Sequence, residues 1–503
     1  MSPVPTRAPE VLAAVDLGSN TFHMVVARHV DGHLVIIDRL REMVRLAEGV
    51  DEQGRLDKAV AARALACLQR FGQRLADMHA DSVRVVGTNA LRRARRKQAF
   101  LERAREAIGH PIEIVAGREE ARLIYSGVAH TSPLDSGRRL VVDIGGGSTE
   151  LIIGQGLEPL ELESIDLGCV SLSEAYFRDG KLSAKRFERA RIAARQGLEP
   201  VQQVFRARGW DTAAGSSGTV RAIQEALREM DPQCTAITLP ALEQCIELLA
   251  RAGAARAIPL LTVTDDRRQA FAGGLVILTE VFAQLGIRQM RVADGAMREG
   301  LLYDMMGRYT AEDARERTVR SMQQRYHVDL QQAARVEQTA LGFLAQVRDE
   351  WQLQDPLAEL ALSWAARLHE IGLDVAHSGY HRHGAYLLEN GDMPGFAREE
   401  QLLLARVVGA HRRKLVLEGV EDLIPPWDQL AVRLMMLLRL AVLLHRDRSG
   451  LPLPGITLQP KGRVLELQFK LRSLRDHPLT SADLQQEVEY LDGQGLRLRI
   501  FTS

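Results

Sequence analysis

Leu140-Val141-Val142-Asp143-Ile144-Gly145-Gly146-Gly147-Ser148-Thr149-Glu150-Leu151-Ile152-Ile153 reads as a buried strand, a glycine turn and a second buried strand. Asp143 ends the first strand and Glu150 opens the second. Three consecutive glycines leave backbone N–H groups unshielded, which suits the turn to an anion, phosphate above all. A plain tight hairpin would look the same. What separates the two readings is a second copy of the pattern. Val11 to Asp16 is an apolar run ending in a carboxylate, Leu17-Gly18-Ser19-Asn20 turns, and Thr21 to Arg28 resumes as a strand. Asp16 to Thr21 aligns with Asp143 to Thr149 if the second copy carries one extra residue.

The context of the two stretches also repeats. Asp31-Gly32 marks a hairpin and His33 to Leu40 alternates as a third strand. A helix over Asp57 to Met78, a strand at Val83 to Gly87, a helix over Thr88 to Ala107 and a strand at Ile112 to Ala116 follow. Around the second copy, Arg139 to Asp143, Thr149 to Gly154 and Leu157 to Asp166 read as strands. A unit repeated at domain spacing is an internal duplication, and alternating strands and helices predict two α/β domains with mixed sheets. After Arg308, Ala, Leu, Gln and Arg recur at helical spacing as far as about Arg446, and Ile456 to Ser503 mixes strands with a helix. The expected domains are 1–130, 131–308, an all-α 309–448 and a small α+β 449–503.

With 503 residues, 46% apolar and 26% charged, the chain has the composition of a globular protein too long for one core. Its formal net charge is zero, so any polyanion must be held by a local basic patch. Cys67, Cys169, Cys234 and Cys245 are scattered, which argues against a zinc cluster or disulfide framework. Met1 to Glu10 lacks the apolar core of a signal peptide, and Arg433 and Arg439 interrupt the most apolar late stretch, so no membrane span and a cytoplasmic protein are expected.

Ligands of open α/β sheets sit beyond the carboxyl ends of the strands, where Asp16 and Asp143 lie. Gly18, Ser19, Asn20 and Thr21 on one side and Gly145, Gly146, Gly147 and Ser148 on the other form two facing phosphate turns. A third, Gly215-Ser216-Ser217-Gly218-Thr219, opens a helix over Val220 to Met230, and exposed N–H groups at that start make a further anion site. A fourth, Asp294-Gly295-Ala296-Met297-Arg298-Glu299-Gly300, also leads from a strand into a helix. Glu119 and Glu120 open a helix after Gly117. Neighbours differ by about 100° around a helix, so one of them points inward. Glu120 shares its face with Leu123, Ile124 and Gly127, which makes it the inward carboxylate and the candidate general base. Asp143 and Glu150 together suit a divalent ion, since magnesium takes few carboxylates plus phosphate oxygens. Arg92 heads the basic run Arg92, Arg93, Arg95, Arg96, Lys97 and is placed to reach a cleft phosphate. His369, His377, His381, His383 and His411 allow metal ligation, with hydrogen-bonded or solvated histidines the plainer account.

Together these motifs resemble the exopolyphosphatase/guanosine pentaphosphate phosphatase family, from about Val11 to Arg308 and on into Leu368-His369-Glu370-Ile371-Gly372 and His377 to His383. The resemblance implies two duplicated actin/hsp70/sugar-kinase-like (ribonuclease H-like) domains. It implies a degenerate HD-like helical domain, with His369-Glu370 where a His-Asp pair would stand, serving as a basic channel and dimer surface. It implies an exopolyphosphatase that releases orthophosphate from the end of inorganic polyphosphate, with guanosine pentaphosphate 5′-phosphohydrolase as the alternative. The family's catalytic glutamate falls on Glu120, its metal-associated acids on Asp143 and Glu150, and its phosphate loops on Gly18 to Thr21, Gly145 to Ser148 and Gly215 to Thr219. Mg²⁺, often with K⁺, and a homodimer are implied. A sugar or acetate kinase and a non-catalytic polyanion binder are the rival classes. Nucleic acid is not expected, since no aromatic stacking surface accompanies the basic runs.

Overall fold

The computed structural model describes residues 10–30, 33–51, 53–95, 97–132, 137–308, 314–423, 426–448, 455–461, 464–469, 478–494 and 496–502. The Asp31-Gly32 turn, Arg96 and the first nine residues lie outside them.

β1 (Val11–Leu17) buries Leu12, Ala13, Ala14 and Val15 completely, as a strand covered on both faces must. It pairs antiparallel with β2 (Thr21–Val30), which pairs antiparallel with β3 (His33–Met43). On its other side β1 runs parallel to β4 (Val83–Gly87), and β4 parallel to β5 (Ile112–Ile114), giving the order β3-β2-β1-β4-β5. The second sheet repeats this. β6 (Arg138–Ile144), β7 (Thr149–Gln155) and β8 (Glu158–Ile165) form the antiparallel part, and β9 (Thr212–Gly215) and β10 (Arg291–Val292) the parallel part. The order is β8-β7-β6-β9-β10, the same topology with the same strand directions.

Two expectations are corrected. The register pairs Leu17 with Phe22 and Ile144 with Thr149, so both turns hold four residues, Gly18–Thr21 and Gly145–Ser148. There is no extra residue in the second copy, and Ser148, not Thr149, stands where Thr21 stands in the first. The helix expected over Thr88 to Ala107 is two helices, Asn89–Arg93 and Gln98–Ile108. Ala94 leaves the helical region, and the next N–H, of Arg95, bonds Gly54 O at 2.9 Å.

The residues up to Ala314 form one compact unit. Its two sheets are joined by a shared core, in which Leu12, Val25 and Leu123 meet Val141, Ile152, Leu301 and Leu302. Helix Gly117–Thr131 and helix Met297–Arg308 cross within it at glycines: a Cβ on Gly300 would stand 1.8 Å from Leu123 O.

The residues from Arg315 onward form a second compact unit. Its helices include Leu330–Val347, Pro356–Leu368, Tyr380–Asn390, Arg398–Gly409 and Trp427–Leu444. A three-stranded sheet, β11 (Ile456–Lys461), β12 (Val464–Phe469) and β13 (Arg497–Thr502), follows, with helix Pro478–Asp492 between β12 and β13. Leu458, Leu465, Leu484 and Leu498 pack into the same core as Leu434 and Leu437, so helices and sheet share one interior. Among the described residues no helix is long and apolar enough to cross a membrane. Arg439, inside the apolar helix Trp427–Leu444, is buried in an ion pair with Glu487.

Candidate active site

The duplicated sheets set two rows of side chains. Register places Asp16 beside His23, and His23 beside Arg41, across β1, β2 and β3. It places Asp143 beside Glu150, and Glu150 beside Ser164, across β6, β7 and β8. Between the two sheets lies a cleft of about 440 Å³, lined by Gly18 to Thr21, Gly145 to Ser148, Ser216 to Thr219, Asp16, Glu120 and Asp143. The two turns nearly touch. A Cβ on Gly147 would stand 2.4 Å from Asn89 Oδ1 and 3.2 Å from Ser19 Oγ. None of the three turn glycines takes a left-handed φ, and of the three only Gly147 meets a neighbour closer than 3.0 Å, so close approach is what disfavours a side chain at that position. Ser217 caps the helix Gly218–Met230: its Oγ accepts the Val220 N–H at 3.3 Å and the Ile144 N–H at 3.3 Å. One hydroxyl thus ties the third loop to the end of β6.

Glu120, in the first turn of helix Gly117–Thr131, lines the cleft and accepts Arg92 Nη1 at 2.6 Å. The same Arg92 nitrogen donates to Val115 O at 2.9 Å. Arg92 therefore stands behind Glu120 and holds it, and is not on the cleft wall. Gly215 and Glu150 are also off the wall. Glu150 is buried, with Ser164 Oγ donating to its Oε1 at 2.8 Å. Glu119 turns away into a buried network, bidentate with Arg122 at 2.8 Å.

The acids crowd one another. Burial raises the Asp16 carboxyl to about 7, with Arg298 opposing and Glu120 adding. Burial likewise raises Asp143 to about 7, opposed by a hydrogen bond from Ser216 and reinforced by Glu120 and Asp16. Glu150 is pushed well above the usual range by burial, then by Glu120 and Asp143. Among the described residues no three His, Cys, Asp or Glu side chains form a full ligand set. Crowded, desolvated carboxylates without a complete cage fit a hard cation that brings water and phosphate oxygens as its remaining ligands.

The cleft wall also carries Arg298, from the fourth motif, and cations outside the motifs: Arg39, Arg41, Arg221 and Arg267, with His23. Arg298 Nη1 lies 2.6 Å from His23 Nδ1. Arginine only donates, so Nδ1 accepts and the ring proton sits on Nε2. Burial, then Arg298, Arg41 and Arg267, lowers His23 to about 3, so the ring is a neutral donor. Arg267 Nη1 donates to Gly218 O at 2.8 Å, and Arg221 Nη2 to Ala293 O at 3.1 Å, fixing both near the third and fourth loops. His23 was findable: it lies two residues beyond Thr21 on the same strand face. Arg298 stood inside a motif already singled out.

In the second unit His369 and His411 are buried, with Nδ1 on Ala366 O at 2.6 Å and on Val408 O at 2.5 Å, while His377 is exposed. They meet the plainer description, hydrogen-bonded histidines.

A duplicated actin-like fold closing on facing glycine turns, a buried glutamate and an arginine wall suits chemistry on phosphoryl groups. The comparisons with known proteins agree. The Ppx/GppA phosphatase family matches residues 25–309, and domain III of the same family matches residues 314–488; the chain belongs to this family. It is 42% identical over 482 residues to a guanosine-5′-triphosphate,3′-diphosphate pyrophosphatase of Vibrio vulnificus, covering 95% of each chain. It is 40% identical to the protein of the same name from Vibrio campbellii, covering 97% of this chain and 98% of that one. A solved exopolyphosphatase from Cytophaga hutchinsonii superposes with a TM-score of 0.54 at 23% identity, over 59% of this chain and 97% of that one, a likeness of fold.

Proposed function

We propose that the protein hydrolyses the terminal 5′ phosphoanhydride of guanosine 5′-triphosphate 3′-diphosphate to release orthophosphate. The observation that carries this is similarity over nearly the whole chain to two proteins of that name, at 42% and 40% identity. It reverses the order in the sequence reading, where inorganic polyphosphate came first. Glu120, held by Arg92, orients the attacking water and takes its proton. The loop N–H groups, Arg298 and the Nε2–H of His23 meet the phosphate oxygens. Asp143 on the cleft wall, with Asp16 nearby and Glu150 behind it, would hold a magnesium ion, which would supply charge neutralisation on the transferred and leaving phosphates when bound. Placement and electrostatics then provide most of the rate, as a loose phosphoryl transition state requires.

Inorganic polyphosphate is the second reading. Five arginines along the cleft wall suit a terminal phosphoryl chain with or without a nucleoside. Phosphate release from the nucleotide and from long-chain polyphosphate, measured side by side with and without Mg²⁺, decides. The proposal expects the larger kcat/KM on the nucleotide. A larger value on polyphosphate inverts it, and binding without release from either substrate makes the protein a polyanion binder.

A further inference from the structure

The second unit holds a cavity of about 440 Å³, as large as the catalytic cleft, lined by residues the proposed reaction does not use. Its floor and its rim differ in chemistry. On the floor, His369, Glu370 and His411 are almost wholly buried. His369 gives its Nδ1–H to Ala366 O at 2.6 Å, which leaves Nε2 as an acceptor, 3.9 Å from Glu370 Oε1. Glu370 Oε1 is taken by Arg448, while Oε2 is enclosed without a hydrogen-bond partner. A buried carboxylate oxygen with no protein donor suits a ligand N–H or O–H. Burial lowers His369 to about 4 and His411 well below its ordinary value, so both rings are neutral.

The rim is cationic. Arg412 is partly buried and lies 4.5 Å over the Tyr380 ring, and Arg413 is exposed. Neither forms an ion pair among the described residues, whereas Arg446 and Arg448 are paired with Asp483, Asp329 and Glu370. The loop that carries Arg412 and Arg413 is built for this presentation. Arg439, buried against Glu487, donates to Ala410 O and to Arg413 O, the latter at 2.7 Å, and Arg413 is held at φ +64. A non-glycine residue persists in that conformation only where its surroundings impose it. Leu373, Val442, Leu443 and Tyr490 supply apolar wall between floor and rim.

We propose that this cavity is a second ligand site that takes a nucleoside phosphate, with phosphate on Arg412 and Arg413 and hydroxyl or amino donors of the nucleoside on His369 Nε2 and Glu370 Oε2. A simple anion satisfies the rim and leaves the acceptors unmet; a cation or neutral sugar does the reverse. A ligand anionic at one end and hydrogen-donating at the other satisfies both, and the volume admits a mononucleotide. It shares no lining residue with the cleft between the duplicated sheets, and the proposal stands whether the substrate is the nucleotide or polyphosphate.

Equilibrium dialysis of the full-length protein against radiolabelled GDP, and in parallel ADP, counts the sites. Two sites per chain are expected for at least one nucleotide. Arg298→Ala, in the catalytic cleft, should leave one, and Arg412→Ala with Arg413→Ala should leave the other, with at least a tenfold loss at the site removed. Glu370→Gln should weaken the nucleotide at the second site several-fold while leaving inorganic pyrophosphate unaffected. Circular dichroism and thermal midpoints close to wild type show that each variant folds. A single site in the wild type, two sites persisting in the double arginine variant, or pyrophosphate competing as well as the nucleotide overturns the proposal.

Discussion

In the proposed reaction the chemistry turns on Glu120, which Arg92 fixes at 2.6 Å. Replacing it by Gln keeps the shape and removes the base. Phosphate release should fall by about 10²–10⁴-fold, the usual worth of general base catalysis, while calorimetry still registers substrate binding. Release at the wild-type rate would remove Glu120 from the mechanism. Asp143 allows a different test. Its carboxyl is raised to about 7 by burial, so its folded-state value lies above its unfolded one. The stability it contributes is complete below pH 4 and is lost as pH rises through about 7. In buffer free of divalent cations, Asp143→Asn should therefore be more stable than wild type at pH 8, by on the order of a few kcal/mol in urea unfolding, and the gap should narrow toward pH 5. A gap that widens on acidification contradicts the assignment. Both residues were legible in the sequence, one from helical spacing and one from its place at a strand end. His23 was less so, because its neighbours Asp16 and Arg41 come from two other strands and only the pairing register brings them together. Arg92 and Glu150 were legible as members of the site, but spacing could not tell a wall residue from one standing behind it.

The helix Gly117–Thr131 positions Glu120, and it is held from the side by helix Met297–Arg308. The two meet where Gly127 and Gly300 let the backbones approach, and a buried network of charge lies alongside. Arg122 bridges Glu119 and Asp304, and Asp304 also takes Arg84, which reaches Glu113 on β5. Asp304→Ala would leave two buried guanidinium groups short of a counter-charge. That should cost about 3–5 kcal/mol, read as a lower urea midpoint with an unchanged slope. A loss below about 1 kcal/mol would mean that water replaces the carboxylate there. The duplicated strands were readable because inner strands must be apolar runs with a polar end. The equal length of the two turns was not, since residue identity suggested an offset that hydrogen-bond register overrules. The break at Ala94 was hidden as well. Its cause is Arg95 bonding to Gly54, far away in the chain, and no local propensity reports that. The crossing of the two helices belongs to the same kind: Gly127 and Gly300 are separated by most of the second sheet.

At the scale of the molecule, two compact units with their own cores share one chain. Such chains are not expected to unfold as a single two-state system. The four tryptophans make this testable without any mutation: Trp210 lies in the first unit, and Trp351, Trp364 and Trp427 lie in the second. Tryptophan emission therefore weights the second unit, while far-UV circular dichroism follows the helices of both. In urea the two signals should give different midpoints. Phosphate with Mg²⁺ should then shift the transition of the first unit, where the proposed phosphate loops lie, by the linkage amount RT ln(1 + [L]/Kd), about 2.7 kcal/mol at a hundredfold excess over Kd. The emission transition should move less, because Trp364 is buried against Phe396 in a core that holds none of those loops. Coincident midpoints that move together with ligand would show the two units unfolding as one body and would refute independent cores. A shift confined to the emission signal would place the main phosphate site in the second unit and overturn the assignment of the cleft between the duplicated sheets.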